Sequence, residues 1–174
     1  DELQRQHEQV AEQLVPDPGS IVDSLRQLFR QLRERLSCAP SQNYDFDYDQ
    51  IVSFGELLST TLISGYLNIA GIPNTWLDAR RVIRTDSTFR EGRVDWETSA
   101  RQIQDAVAAG FGKGRVVLTQ GFIGGTAENL TTTLGREGSD YSAAIIAHSL
   151  DAESVTIWKD VPGLLNADPK RFPD

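Results

Sequence analysis

Residues 131–146, TTTLGREGSDYSAAII, hold the densest set of groups able to do chemistry in this chain. Gly135 and Gly138 let the backbone turn tightly and come close to a ligand. Ser139 or Asp140 is placed to cap a helix that starts there, and the free N–H groups of its first turn make an anion site. Arg136 adds a planar fork that matches a carboxylate, and Asp140 a carboxylate that suits an ammonium group. Arg, Asp and helix N–H groups within five residues fit a zwitterion, an amino acid. On spacing alone a capped helix with a surface Arg–Asp pair fits slightly better.

Other stretches offer weaker signals. Gly121-Phe122-Ile123-Gly124-Gly125 follows an apolar β-branched run at 115–120. In open α/β sheets, ligands lie beyond such strand ends, though tight turns need glycine too. Ser53 and Glu56 have the spacing of a capping box at the start of a helix, which by itself accounts for the glutamate. Lys159 and Lys170 are basic residues beyond another expected strand, 154–158, in a chain short of positive charge. They suit a polyphosphate, or are solvated loop lysines. The alternation of aromatic and acid over Tyr44–Asp49 reads as a solvated connector with anchoring aromatics rather than a cation site. His7 and His148 read as packing residues, and no residue is assigned as a metal ligand.

These groups need a scaffold, and the remaining chain supplies its pattern. The 174 residues, 39% hydrophobic and 24% charged, suffice for one globular domain with a small appended piece. Apolar residues recur with helical spacing over 2–15 and again over 21–36, with Pro16-Asp17-Pro18-Gly19 between them and Ser20 as the second cap, a helical hairpin. Further helices are expected from Ser53 to about Ala70, from Asp95 to Ala109, and through 143–150. Strands are expected at 74–78, continuing extended to Thr85, and at 115–120 and 154–158. Alternating helix and strand points to a mainly parallel sheet flanked by helices, an α/β fold. A net charge of −8 argues against a nucleic-acid surface, and no apolar run is long enough to span a membrane. One cysteine, Cys38, fits a reducing, cytoplasmic setting. The chain opens within a helical pattern and stops without a closing element, so it reads as incomplete at both ends.

Four blocks together closely resemble the aspartate kinases of the amino acid kinase superfamily. They are SFGE (53–56), TQGFIG (119–124), TTTLGREGSDYSAAIIA (131–147) and IWKDVPGLLNADPK (157–170). The resemblance implies a three-layer αβα sandwich of the amino acid kinase type. Residues 1–42 would be its helical subdomain and 43–174 its core. It implies transfer of the γ-phosphoryl group of MgATP to the side-chain carboxylate of L-aspartate, with Mg²⁺ held mainly through the nucleotide phosphates. By the same resemblance Arg136 binds a substrate carboxylate and Asp140 the ammonium, with Ser139, Phe122 and Gly121 in the pocket. Glu56 orders the site and, with Asp140, makes up the catalytic pair. The nucleotide meets Lys159, Asp160, Leu165 and Lys170. The parent is expected to be a homo-oligomer, either monofunctional or fused to homoserine dehydrogenase.

The sequence also departs from the family pattern. The family's opening Lys-Phe-Gly-Gly loop, whose lysine neutralises the transferring phosphoryl group, is absent, as are the C-terminal regulatory ACT domains. The isolated chain is therefore expected to lack turnover. Lys159 and Leu165 stand where many members have Thr and Tyr, and Glu137 replaces a common Gly. A glutamate kinase of the same superfamily, or an amino-acid-binding module without catalysis, is the alternative reading.

Overall fold

The structure, a computed structural model, describes residues 1–111, 116–159 and 171. Its longest element is helix α3, Tyr44–Ile69, on which the other parts are stacked. The run read as a connector, Tyr44–Asp49, is the start of this helix. Asn43 is its N-cap, the side chain accepting from the Phe46 amide at 3.1 Å. The expected capping box at Ser53 and Glu56 is therefore not a cap. Both residues lie inside the helix, where a three-residue spacing places them on one face. The spacing that makes a capping box is also the spacing of helical neighbours, and only the true start separates the two.

Helices α1 (Glu2–Leu14) and α2 (Gly19–Ser37) precede it. The expected cap at Ser20 is not formed, because helical geometry already begins at Gly19. Ile21, Val22, Leu25 and Phe29 form the buried stripe of α2, which packs on α3 where Gly65 allows close approach to Ile21. Helix α1 buries only Ala11 and is tied to α2 by Glu8–Arg26 at 2.9 Å. Solvent screens this exposed bridge, so it adds little to the packing of α1 on α2.

After α3, strand β1 (Asn74–Leu77) pairs parallel with β2 (Val116–Thr119), in register from Asn74↔Val116 to Leu77↔Thr119. A parallel pair needs a crossover, and helix α4 (Trp96–Phe111) lies in it. Residues 79–85 do not simply continue the strand. Ala79–Arg81 is a 3₁₀ turn capped by Asp78, and only Arg84 and Thr85 return to isolated bridges.

Past β2 the glycine stretch forms a strand of its own. Strand β3 (Ile123–Gly125) runs antiparallel to β4 (Thr131–Thr133), because the five residues between them can only reverse the chain. The described ladders are thus one parallel pair and one antiparallel pair, where a mainly parallel sheet was expected. A Cβ on Gly125 would collide with the Arg80 carbonyl, which accounts for glycine there. Helix α5 (Gly138–Ser149) follows β4. The strand expected at 154–158 is not formed; residues 154–159 are exposed and join no ladder among the described residues. β-branched side chains favour extended backbone, but a strand also requires a neighbour for its N–H and C=O groups.

The hydrophobic core is continuous from Ala11 through Leu25, Leu57, Ile83, Ile103 and Ile123 to Ile145. Among the described residues no helix is long and apolar enough to cross a membrane.

Candidate active site

The polar face of α3 organises the site. Asp49, Ser53, Glu56 and Thr60 recur at spacings of four, three and four, which puts them within one narrow stripe. Asp49 and Ser53 are fully buried. The Asp49 carboxyl accepts from the Thr133 amide at 2.9 Å, the Thr133 hydroxyl at 2.8 Å and the Arg90 amide at 2.8 Å. One side chain thus fixes the end of β4 and the turn at Arg90. One helical residue on, Gln50 donates to the Thr131 carbonyl at 2.7 Å and accepts from its amide at 3.1 Å. At the other end of the stripe the Thr60 hydroxyl accepts from Trp76 Nε1 at 3.0 Å and from the buried Gln120 amide at 2.9 Å. Gln120 in turn accepts from the Ala79 amide at 2.8 Å, joining the ends of β1 and β2 to α3.

Glu56 lies between these anchors, half-buried, with no hydrogen-bond partner for its carboxyl among the described residues. Burial raises its pKa above the ordinary glutamate value. The Ser53 hydroxyl, one turn earlier, is buried and also without a partner.

The segment after β2 meets the start of α5. Phe122 has a left-handed backbone, φ 61°, and its amide donates to Ser142 Oγ at 2.8 Å while its carbonyl accepts from Leu134 at 2.9 Å. Gly121 lies against Ser139: a Cβ added there would stand 2.9 Å from Ser139 Oγ. The turn into α5 is left-handed at Gly135, φ 77°, and at Glu137, φ 56°. Helical geometry begins at Gly138, so neither Ser139 nor Asp140 caps the helix as expected. The cap position is Glu137, whose side chain makes no cap bond. Asp140 instead sits in the first turn, where a carboxylate is favourable beside the exposed N–H groups.

Arg136 is exposed and lines a cleft of about 640 Å³ with Phe122, Thr133, Gly135, Arg90 and Tyr48. Asp140 faces a different neighbour. Its carboxyl is 2.8 Å from Lys159 Nζ, which also approaches Glu137 at 3.5 Å. The hydrogen bond to Asp140, then the two nearby negative charges, raises the Lys159 pKa.

Of the expected site residues, the structure thus groups Arg136 with Phe122, Gly121 with Ser139, and Asp140 with Lys159. Among the described residues Glu56 makes no side-chain hydrogen bond or ion pair to any of them. Asp160, Leu165 and Lys170 lie outside the described residues. Asp49, Gln50, Arg90 and Gln120 were not singled out by the sequence. The acidic alternation over 44–49 was the signal for Asp49, but its partner Thr133 is 84 residues away, beyond any local pattern. Among the described residues no group of three or more His, Cys, Asp or Glu is placed to hold a metal ion.

Comparison with known proteins bears on what this arrangement serves. The lysine-sensitive aspartokinase 3 of Escherichia coli (strain K12) is 42% identical over 126 residues, 70% of this chain and 27% of that protein. The bifunctional aspartokinase/homoserine dehydrogenase 2 of the same organism is 38% identical over 158 residues, 90% of this chain and 19% of that one. The chain therefore spans about a quarter and a fifth of these two relatives. A solved structure of E. coli aspartokinase III in complex with aspartate and ADP superposes with a TM-score of 0.80 at 36% identity, over 88% of this chain and 34% of that one. The model of the amino acid kinase family matches residues 4–174, nearly the whole length. The chain belongs to the amino acid kinase family and has its α/β fold.

Proposed function

We propose that this chain is part of the catalytic domain of an aspartate kinase, which phosphorylates the side-chain carboxylate of L-aspartate with MgATP. The observation that carries the reading is the cleft in which Arg136 and Phe122 meet beside the Gly121–Ser139 contact. It offers a guanidinium fork for one carboxylate and main-chain groups close by. The relatives named aspartokinase, and the aspartate and ADP in the solved neighbour, support the substrate pair.

In this reading Arg136 holds a substrate carboxylate and Asp140 takes the ammonium, which requires Lys159 to give up its present contact. Ser139, Phe122 and Gly121 close the pocket. Glu56 orders the site from α3, its carboxyl poised by burial. Lys159, Asp160, Leu165 and Lys170 serve the nucleotide. Magnesium held on the nucleotide phosphates would supply charge neutralisation there, in keeping with a reaction that depends mainly on positioning and electrostatics. For the whole protein we infer a three-layer αβα sandwich, with residues 1–42 as a helical subdomain and 43–174 as the core. We place it in the cytoplasm as a homo-oligomer.

The test is calorimetry of the full-length protein with aspartate and with glutamate, followed by an MgATP turnover assay. Aspartate binding with formation of an acyl phosphate is expected. Preference for glutamate would assign a different kinase of the family, and binding without turnover a module that has lost its chemistry.

A further inference from the structure

The cleft holds a second guanidinium group that the family resemblance does not assign. We propose that Arg90 is a specificity residue of this cleft, reading the side-chain carboxylate of a dicarboxylic amino acid while Arg136 reads the α-carboxylate. The proposal rests on the aspartate kinase reading above and deepens it.

Three features distinguish Arg90 from a surface arginine. Its position is built: a non-glycine residue at φ 67° is an uncommon backbone state, and here it is locked by the 2.8 Å bond from its amide to the fully buried Asp49. The same carboxyl holds Thr133, three residues before Arg136, so the two arginines are referenced to one buried anchor. Its side chain is presented by the Tyr48 ring, with Cζ 4.7 Å from the ring centroid. Stacking uses the face of the guanidinium and leaves its in-plane N–H donors for a carboxylate. Finally, its contact to Asp45 is loose, 3.5 Å between groups each about half exposed, so a ligand carboxylate with better geometry can displace it.

The charge pattern matches such a ligand. Asp45 and Glu91 also line the cleft and balance the two guanidinium groups. Displacing Asp45 from Arg90 frees that guanidinium for a second ligand carboxylate, so a ligand with two carboxylates and one ammonium complements the cleft better than one with a single carboxylate.

The experiment is calorimetry and steady-state kinetics on the full-length protein, with aspartate and asparagine as probes. Arg90→Gln should weaken aspartate binding by about tenfold or more, the change expected for one lost charge-assisted contact. Asparagine affinity should change by less than about twofold, so that discrimination collapses while the KM for MgATP holds. Asp45→Asn, which removes the competing carboxyl, should tighten aspartate binding. If Arg90→Gln does not fold, Arg90→Lys keeps the charge but loses the fork and should show the same selective loss. Equal weakening of both probes, or unchanged aspartate affinity, overturns the proposal. Absence of aspartate binding in the unsubstituted protein overturns the kinase reading itself. Loss in Arg136→Lys but not at Arg90 overturns only the role of Arg90.

Discussion

A half-buried carboxyl with no hydrogen-bond partner among the described residues is an uncommon choice for a helix, and Glu56 is one. Burial raises its pKa, so its protonated form is favoured in the folded protein relative to the unfolded chain. The stability it contributes is present below the ordinary glutamate value and is lost as pH rises through the raised value. Glu56→Gln keeps the shape without the charge. Thermal unfolding across that window should therefore show the variant gaining on the wild type as pH rises, and a constant difference would contradict the burial argument. Turnover should fall in the same variant, since the proposed role in ordering the site needs the carboxylate. At Arg136 the expectation concerns the substrate. Arg136→Lys replaces a bidentate fork by a point charge, so aspartate use should weaken by roughly 2 kcal/mol in kcat/KM while MgATP use is little changed. Steady-state kinetics varying each substrate decides it. The sequence singled out Arg136 because its fork lies beside two glycines and a helix start. The state of Glu56 was not, because a local pattern that explains a residue as a cap conceals that it lies within a longer helix.

At the scale of elements, the site depends on how α3 grips β4 and on how the chain enters α5. Asp49 accepts three hydrogen bonds without any exposure to water. Asp49→Asn turns one acceptor into a donor facing donors, and should cost about 2–4 kcal/mol in chemical denaturation. The amides of Thr133 and Arg90 should lose exchange protection together; protection lost at only one of them would separate the two walls of the cleft. The entry to α5 carries strain at Glu137, whose φ of 56° suits glycine. Glu137→Gly should raise stability by up to about 1 kcal/mol, the left-handed penalty partly offset by the greater freedom of glycine when unfolded. A lower melting temperature would show that the Lys159 contact outweighs the strain. Helices α2 and α4 were legible from their apolar spacing, since burying one face is what keeps a helix. The short strands were less so. The backbone at 123–125 is paired with 131–133, and no property of Gly-Gly alone says that it will find a partner. At 154–158 the β-branched residues are present, but no partner strand lies beside them among the described residues.

For the whole molecule, the strands are the least complete part. Among the described residues, strands β1 and β2 form a two-stranded parallel ladder whose outer edges meet no further strand. What holds this chain together is the packing of α2, α3, α4 and α5 through the continuous core, with the buried polar links from Asp49, Thr60 and Gln120 fixing the strand ends. That core accounts for a folded chain with the Arg136 cleft formed. The proposed phosphoryl transfer also calls for cations at the phosphates. Among the described residues Lys159 is engaged by Asp140 and Glu137, and the family's Lys-Phe-Gly-Gly loop is absent from this sequence. Charge stabilisation is most of what a protein contributes to this reaction, and loss of a comparable cationic group costs roughly a thousandfold or more. The 174-residue chain by itself should therefore give a cooperative unfolding transition and at most weak aspartate binding, with no acyl phosphate trapped by hydroxylamine in the presence of MgATP. Turnover approaching that of the full-length protein would show that these residues complete the catalytic charge unaided, and would move the phosphate-facing cation onto Lys159, Lys170 or an arginine of the cleft.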